Sequence, residues 1–298
     1  MLRRLIDLWL ARHAEPSPEA LAAVSQLRPA TVVTGASRGI GLALADRFAK
    51  AGHDVVLIGR DAEAVQHAAA QVAHRHDVKA LAIAMDVIDP GAPTRIDEQL
   101  AAHGFYVDVL VNNAGVGLSG PFDSHDDAEI AHLIDLNVTA LTRLMRHALP
   151  PMLARGRGGI INVASLGGLI PGPNQAAYYA SKAYVISLTR AVATENAGRG
   201  VRLMALAPGP VDTGFHQAMG AELSFYRQLM IALSAAQTAR ACYRAYWIGM
   251  RLFVPGISGK LLQVAVSFIP HAALLPLMGW LLRRREERPW PLSDDNQE

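Results

Sequence analysis

Residues 34–41 read Thr-Gly-Ala-Ser-Arg-Gly-Ile-Gly, directly after an apolar run and at the opening of a helical pattern. Gly35 permits a tight turn, while Gly39 and Gly41 let a backbone approach a phosphate and a helix pack closely on a strand. The free N–H groups and positive dipole end of that helix suit a pyrophosphate. Glycine turns are common, so the triplet alone is weak. Its place between the first strand and the first helix makes it strong, and it ties the chain to folds that bind nucleotides at a strand–helix turn.

The rest of the pattern agrees. From Arg28 onward, short apolar runs alternate with longer helical stretches. Expected strands are 30–34, 54–58, 79–85, 107–111, 159–163 and 202–207, with 251–254 as a last addition. Between them the pattern predicts helices ending near Ala51, running from an Asp61 cap to His76, over 90–103, over 126–153, and from Ala176 toward Gly198. Helical patterns dominate again over 221–247. Nearly continuous apolar strands between helices imply a parallel sheet covered on both faces. The expected fold is a doubly wound, Rossmann-like α/β domain at residues 28–256. Residues 1–27 read as an amphipathic helix and linker, and 257–298 as a hydrophobic extension with a charged tail. At 298 residues, 51% of them hydrophobic, the chain can bury one large core.

Chemistry concentrates at 165–182. Ser165 precedes Tyr178, and Tyr178 lies one helical turn before Lys182, on the same face. An ammonium beside a phenol favours phenolate and lowers a pKa that starts near ~10. Ser165 can hydrogen-bond the oxygen that receives the phenolic proton. This is machinery for protonating a carbonyl oxygen as hydride arrives. Tyr179 is the rival acid, but its neighbour four residues on is Ala183, so packing is its expected role.

Five motifs now stand in order: T-G-x-x-x-G-x-G, Asn-Asn-Ala-Gly at 112–115, Ser165, Y-x-x-x-K at 178–182 and Pro208-Gly209. Together they resemble the short-chain dehydrogenase/reductase family over about residues 28–254. The resemblance implies a nicotinamide cofactor held by the glycine turn, including Ser37, Arg38 and Ile40. It implies adenine contacts at Asp86 and Val87, and an adenosine-bordering turn at Asn113, Ala114 and Gly115. It implies a nicotinamide-gripping segment at Pro208, Gly209, Val211 and Thr213. Asn137 matches the asparagine that holds a relay water near the lysine, and Tyr178 and Lys182 also border the cofactor. Asp86 and Asn137 retain a plainer reading, in which each side chain only caps or bonds backbone. The family also implies a homodimer or homotetramer.

The second strand ends Ile58-Gly59-Arg60, placing glycine where an acidic residue would accept hydrogen bonds from an unmodified ribose. Arg60 and Arg38 suit a 2′-phosphate, so NADP(H) is expected ahead of NAD(H). Asp61 complicates this, although its position suits a helix cap. The reaction expected is reduction of a carbonyl, or oxidation of an alcohol in reverse.

The region 214–237 carries Phe215, Met219, Leu223, Phe225, Tyr226, Leu229 and Met230. This is an apolar lid over a lipophilic substrate, or an ordinary helix packed on the core. Residues 261–282 form a run without formal charge, followed by Arg283, Arg284 and Arg285. Three placements stay open: a membrane span, interfacial attachment, or helices docked on the protein or closing a dimer. Pro270 and Pro276 favour a pair of short helices over one straight one. Near the start, Leu2, Leu5, Ile6 and Trp9 share a helical face; Asp7 and Arg12 weigh against a signal peptide. The location implied is cytoplasmic, with the inner face of a membrane as an option.

A net charge of +2 gives no sign of a nucleic-acid binder, and the lone Cys242 excludes a disulfide framework or a cysteine-cluster metal site. No metal ligand set is expected. Narrower or rival readings are a membrane-associated 3-oxoacyl or keto-lipid reductase, a sugar-nucleotide epimerase or dehydratase, and a non-catalytic NADP-binding regulatory protein. The epimerases carry a larger C-terminal substrate domain, and a regulator does not need all of Asn137, Ser165, Tyr178 and Lys182.

Overall fold

The computed structural model describes residues 15–215, 219, 232–266 and 269–282. The expected helix at 1–14, the lid residues Leu223, Phe225, Tyr226, Leu229 and Met230, and the tail from Arg283 lie outside the described residues.

Seven strands form one parallel sheet: β1 (Arg28–Thr34), β2 (Asp54–Gly59), β3 (Ala80–Ala84), β4 (Phe105–Asn112), β5 (Gly158–Val163), β6 (Val201–Leu206) and a two-residue β9 (Leu252–Phe253). Their order is β3-β2-β1-β4-β5-β6-β9. The order reverses between β1 and β4, which leaves a crevice at the carboxyl ends of those two strands. Side chains alternate along every strand. Val33, Leu57, Val111, Ile161 and Leu206 bury on one face. Val32, Val56, Leu110, Ile160 and Leu203 bury on the other. A strand buried on both faces has no reason to alternate polar and apolar residues, hence the continuous apolar runs.

Helices cover both faces. On the first lie α2 (Gly39–Ala49) and α3 (Ala62–His76), which follow a short α1 (Pro18–Ala22), and further along the chain α8 (Ala235–Trp247). On the second lie α4 (Ala92–Ala102), α6 (Leu141–Ala154) and α7 (Ala176–Glu195). The Asp61 carboxylate accepts from Ala64 N at 3.0 Å, so the expected cap of α3 is in place. Within 1–27, read as an amphipathic helix and linker, the short α1 forms, with Ser17 as its cap and Pro18 in its first turn.

The single helix expected over 126–153 is interrupted. After α5 (Asp127–Ile134), a π-helical turn at Asp135–Ala140 precedes α6. Past β6, β7 (Val211–Asp212) pairs in parallel with β8 (Leu233–Ser234), and Ser234 caps α8 in a capping box with Gln237.

The C-terminal extension forms the short helices that its prolines favour, α9 (Ile257–Val266) and α10 (His271–Leu281). Helices of 10 and 11 residues reach only about 15–17 Å, against about 30 Å of bilayer hydrocarbon. Among the described residues no helix is long and apolar enough to cross a membrane. Leu274, Met278 and Leu282, spaced one turn apart, bury against Leu133, Ile170, Tyr178 and Tyr179. Asn174 Nδ2 donates to Gly279 O at 3.3 Å, pinning α10 to the loop before α7. Leu274 is 2% exposed, so Leu274→Ala should cost about 2–5 kcal/mol in urea unfolding. A change under about 0.5 kcal/mol would mean that α10 is not packed there.

Candidate active site

Each of the first six strands delivers a candidate segment at its carboxyl end. β1 runs into Gly35–Gly41, β2 into Gly59 and Arg60, β3 into Asp86 and Val87. β4 leads to Asn113–Gly115, β5 to Ser165, and β6 to Pro208–Thr213. Tyr178 and Lys182 open α7 beside Ser165, and Asn137 stands on the π-helical turn.

The two sides of the crevice are clasped together. Asn113 Nδ2 donates to the carbonyls of Thr34 and Gly35, both at 3.0 Å. Thr34 Oγ1 accepts from the backbone N of Asn113 and of Ala114, each at 3.0 Å. Gly35 has φ +62°, and a Cβ there would stand 2.9 Å from Ala114 Cα. A Cβ on Gly41 would strike the Gly35 carbonyl and Asn113 Nδ2. A Cβ on Gly39 would meet Thr213 Cγ2 at 3.4 Å, so the glycine turn and the segment after β6 line one cleft.

At the far corner, Gly59 faces Ser37: a Cβ on Gly59 would lie 3.9 Å from Ser37 Cβ. Arg38 and Arg60 are exposed, and neither is ion-paired with a described residue. Asp61, engaged in its cap, does not compete for them. Asp86 is exposed and accepts from Ile88 N at 3.0 Å, the backbone role left open for it, while Val87 is buried in the sheet core. These residues fit a nicotinamide dinucleotide: a glycine cradle at a helix N-terminus, with two guanidiniums unpaired among the described residues at the corner near Gly59.

Asn137 is fully buried. Its Oδ1 accepts from Val116 N at 2.9 Å, and its Nδ2 donates to Val116 O at 2.8 Å and to Ser181 Oγ at 3.1 Å. Ser181 Oγ in turn donates to Tyr178 O at 2.7 Å. The π turn is what lets an asparagine leave the helix and grip the β4 exit, a common use of such turns at functional sites. A Cβ on Gly115 would stand 2.9 Å from Asn137 Oδ1 and 3.4 Å from Lys182 Nζ, which places all three groups together.

Tyr178 and Lys182 are both buried. Lys182 Nζ donates to Val163 O at 3.1 Å and sits 5.7 Å from the centre of the Tyr178 ring. Burial pushes the phenol up to about 12; the Ser165 hydroxyl, close enough to hydrogen-bond it, pulls the other way. Burial also pushes the ammonium down to about 8. The spacing argument expected Lys182 to depress the phenol. In this site desolvation dominates instead, because both groups lose water and both favour their neutral forms. Ser165 Oγ also accepts from Gly167 N at 3.1 Å, which orients the hydroxyl.

Tyr179 packs as expected. It is buried, and the rings of Tyr179 and Tyr178 meet edge to face at 6.1 Å. Phe215 lies 5.8 Å from Tyr178, and Met219 joins the same apolar cluster. Two contributors went unread in the sequence. Ser181 links Asn137 to α7 and carries no motif signal. Gln175, 3% exposed, has an Nε2 without a partner among the described residues. A second cleft, about 790 Å³, lies at the amino ends of the strands; Arg28 and Arg157 in it are paired with Asp54 and Asp108.

The family model described as short chain dehydrogenase matches residues 29–224, and the chain belongs to that family. A similar curated protein is 2-(R)-hydroxypropyl-CoM dehydrogenase of Xanthobacter autotrophicus. It is 36% identical over 193 residues, covering 62% of this chain and 76% of the relative. The 3-oxoacyl-[acyl-carrier-protein] reductase of Staphylococcus aureus is 32% identical over 198 residues, covering 66% of this chain and 80% of the relative. Among solved structures, a short-chain dehydrogenase from Sphingobium yanoikuyae in complex with NADPH superposes with a TM-score of 0.70. It is 28% identical and covers 82% of this chain and 97% of its own. The chain is thus an oxidoreductase acting on CH–OH and C=O groups.

The buried lysine should make the site a stability liability. In the folded chain Lys182 titrates near 8 instead of 10.5, so between those values the unfolded chain binds more protons and stability rises with pH. Below about 8 the burial penalty is fully present, of order 3 kcal/mol. Lys182→Met removes that charge and loses one hydrogen bond of about 1 kcal/mol. Urea unfolding at neutral pH should therefore show the variant more stable by about 2 kcal/mol, with the gain shrinking toward pH 10. A less stable variant at neutral pH would refute the desolvation account.

Proposed function

We propose that this protein is an NADPH-dependent carbonyl reductase, or the reverse alcohol dehydrogenase, acting on a lipophilic ketone or secondary alcohol. The observation that carries the reading is the Tyr178 phenol, held between Ser165 and Lys182 and walled by Leu133, Ile170, Phe215, Met219 and Met278. NADPH, when bound, supplies the hydride. Tyr178 gives its Oη proton to the carbonyl oxygen, and burial keeps the phenol protonated at neutral pH, the form that reduction needs. Ser165 positions the substrate oxygen and stabilises its developing charge. Lys182 holds the nicotinamide ribose, and its proton is easily released because its charge is desolvated. Asn137 anchors the relay side of the site through Val116 and Ser181. Asp86, Val87, Asn113, Ala114, Pro208, Gly209, Val211 and Thr213 complete the cofactor contacts in this reading.

The apolar wall supports a lipophilic substrate over a small polar one. A 3-oxoacyl or keto-lipid substrate is the narrower version, supported by the likeness to a 3-oxoacyl reductase. A cytoplasmic homodimer or homotetramer working at the inner face of a membrane belongs to the same reading.

Turnover of NADPH by a panel running from short ketones to long-chain 3-oxo esters and steroids tests the whole. Tyr178→Phe should lose turnover by at least about a hundredfold while still binding NADPH, and Tyr179→Phe should stay active. Tight cofactor binding with no turnover on any carbonyl would favour the regulatory alternative. For the cofactor, Arg60→Ala should raise KM for NADPH about tenfold or more and leave KM for NADH nearly unchanged. Equal effects on the two would remove the 2′-phosphate assignment.

A further inference from the structure

Gln175 carries a buried hydrogen-bond donor with nothing to receive it. The residue is 3% exposed, and its Nε2 has no partner among the described residues. Gln175 is the N-cap of α7, with φ −149° and ψ 32°, yet its side chain makes no bond to the free N–H groups of the first turn. Its backbone is satisfied. The Gln175 N donates to Gly172 O at 3.1 Å, and the Gln175 O accepts from Tyr179 N at 3.0 Å. The side-chain donor is left over, and a buried donor without an acceptor calls for an explanation.

The segment that carries it is held in place. Asn174 takes a left-handed φ of +64°, a conformation uncommon outside glycine and best tolerated by Asn and Asp. Two bonds fix it there: its O accepts from Gly120 N at 2.8 Å, and its Nδ2 reaches Gly279 O on α10. Backbone strain of this kind gathers at sites that clamp a ligand.

Position ties the donor to the chemistry. Gln175, Tyr178 and Lys182 are spaced i, i+3 and i+7, so they share one stripe of α7. The amide starts one turn before the phenol, with Cβ atoms about 5–6 Å apart at such a spacing. The side chains that other elements bring to Tyr178, namely Leu133, Ile170, Leu274 and Met278, offer no oxygen. A substrate with plain hydrocarbon on both sides of its carbonyl would leave the donor unmet.

We propose that Gln175 determines specificity, its Nε2 donating to a second acceptor oxygen of the substrate, within a few bonds of the carbonyl that Tyr178 protonates. The preferred substrate is then a lipophilic chain whose reacting carbonyl neighbours an ester, thioester or second keto oxygen. A simple ketone ranks behind it. This deepens the carbonyl-reductase reading and rests on it for the reaction. The discrimination comes from burial: an analogue without the acceptor keeps the amide from water and gives it nothing in exchange.

Three compounds of matched chain length test it: a medium-chain methyl 3-oxo ester, the plain ketone, and a keto ester with its ester at the far end. With NADPH, wild type should favour the 3-oxo ester over both others by about tenfold or more in kcat/KM. In Gln175→Met, which keeps the volume and removes the donor, that preference should fall about tenfold, toward unity. A purely structural role would slow all three compounds alike and leave the preference at its wild-type value, which overturns the proposal. So does a wild type that treats the three alike, a result that needs no folded variant. If none of the three turns over, calorimetric binding of the same compounds in the presence of NADP+ carries the comparison. A binding preference for the 3-oxo ester that Gln175→Met abolishes keeps the donor and removes the reductase reading. Equal binding, or none, removes both; turnover without preference removes the donor alone.

Discussion

The hydrogen bonds that join the end of β1 to the end of β4 hold the rest of the site in place. In a doubly wound sheet the strand order reverses between those strands, and nothing in strand pairing closes the gap beyond their last residues. Thr34 and Asn113 close it by exchanging side-chain bonds with each other's backbone. The glycine turn is thereby fixed against Ala114 at a distance no Cβ tolerates, and Gly115 is brought beside Asn137 and Lys182. One clasp therefore sets both the glycine turn and the corner where Gly115, Asn137 and Lys182 meet.

Water exclusion is the second constraint, and it sets the ionisation of the site. Tyr178 and Lys182 are buried among apolar side chains, and their pKa values move apart for the same reason. A neutral phenol and a readily deprotonated ammonium are the forms a low-dielectric pocket favours. Such a pocket strengthens hydrogen bonds to a developing alkoxide and weakens the folded chain that carries it.

Much of this was legible in the residues. The strands appear as apolar runs because both faces of the sheet are buried, and Asp61 announces its helix because a carboxylate at an N-cap has a definite job. The glycine turn, Asn113–Gly115, Ser165 and Pro208-Gly209 fall at strand ends, where backbone leaves the ladder and is free to bind, while Asn137, Tyr178 and Lys182 stand on helical turns beside them. What was not legible depends on three-dimensional neighbours. The π turn at 135–140 leaves no mark, because one extra residue in a long helical pattern barely shifts its period. The sense of the Tyr178 shift could not come from the spacing of Lys182, which reports proximity and says nothing of desolvation. Ser181 looks like any helix serine until Asn137 is seen to reach it. The short α1 is a different case, since Ser17-Pro18 is a start signal that was there to be read.

The wall facing Tyr178 comes from an unusual place. Leu274, Met278 and Leu282 lie beyond residue 224, where the family match ends. The curated relatives named here align over roughly two thirds of the chain, and the family match holds the glycine turn, Tyr178 and Lys182. It contains one side of the wall around Tyr178, with Leu133, Ile170 and Met219, but not the α10 side. Substrate choice is a difference in binding energy at that wall, and a single methylene there shifts discrimination by about 1–3 kcal/mol. The reaction class therefore comes with the family core, while part of the apolar cluster around Tyr178 comes from a helix beyond the family match. The apolar character of α10 on its inner side, and not the name of any relative, is the physical ground for expecting a lipophilic carbonyl.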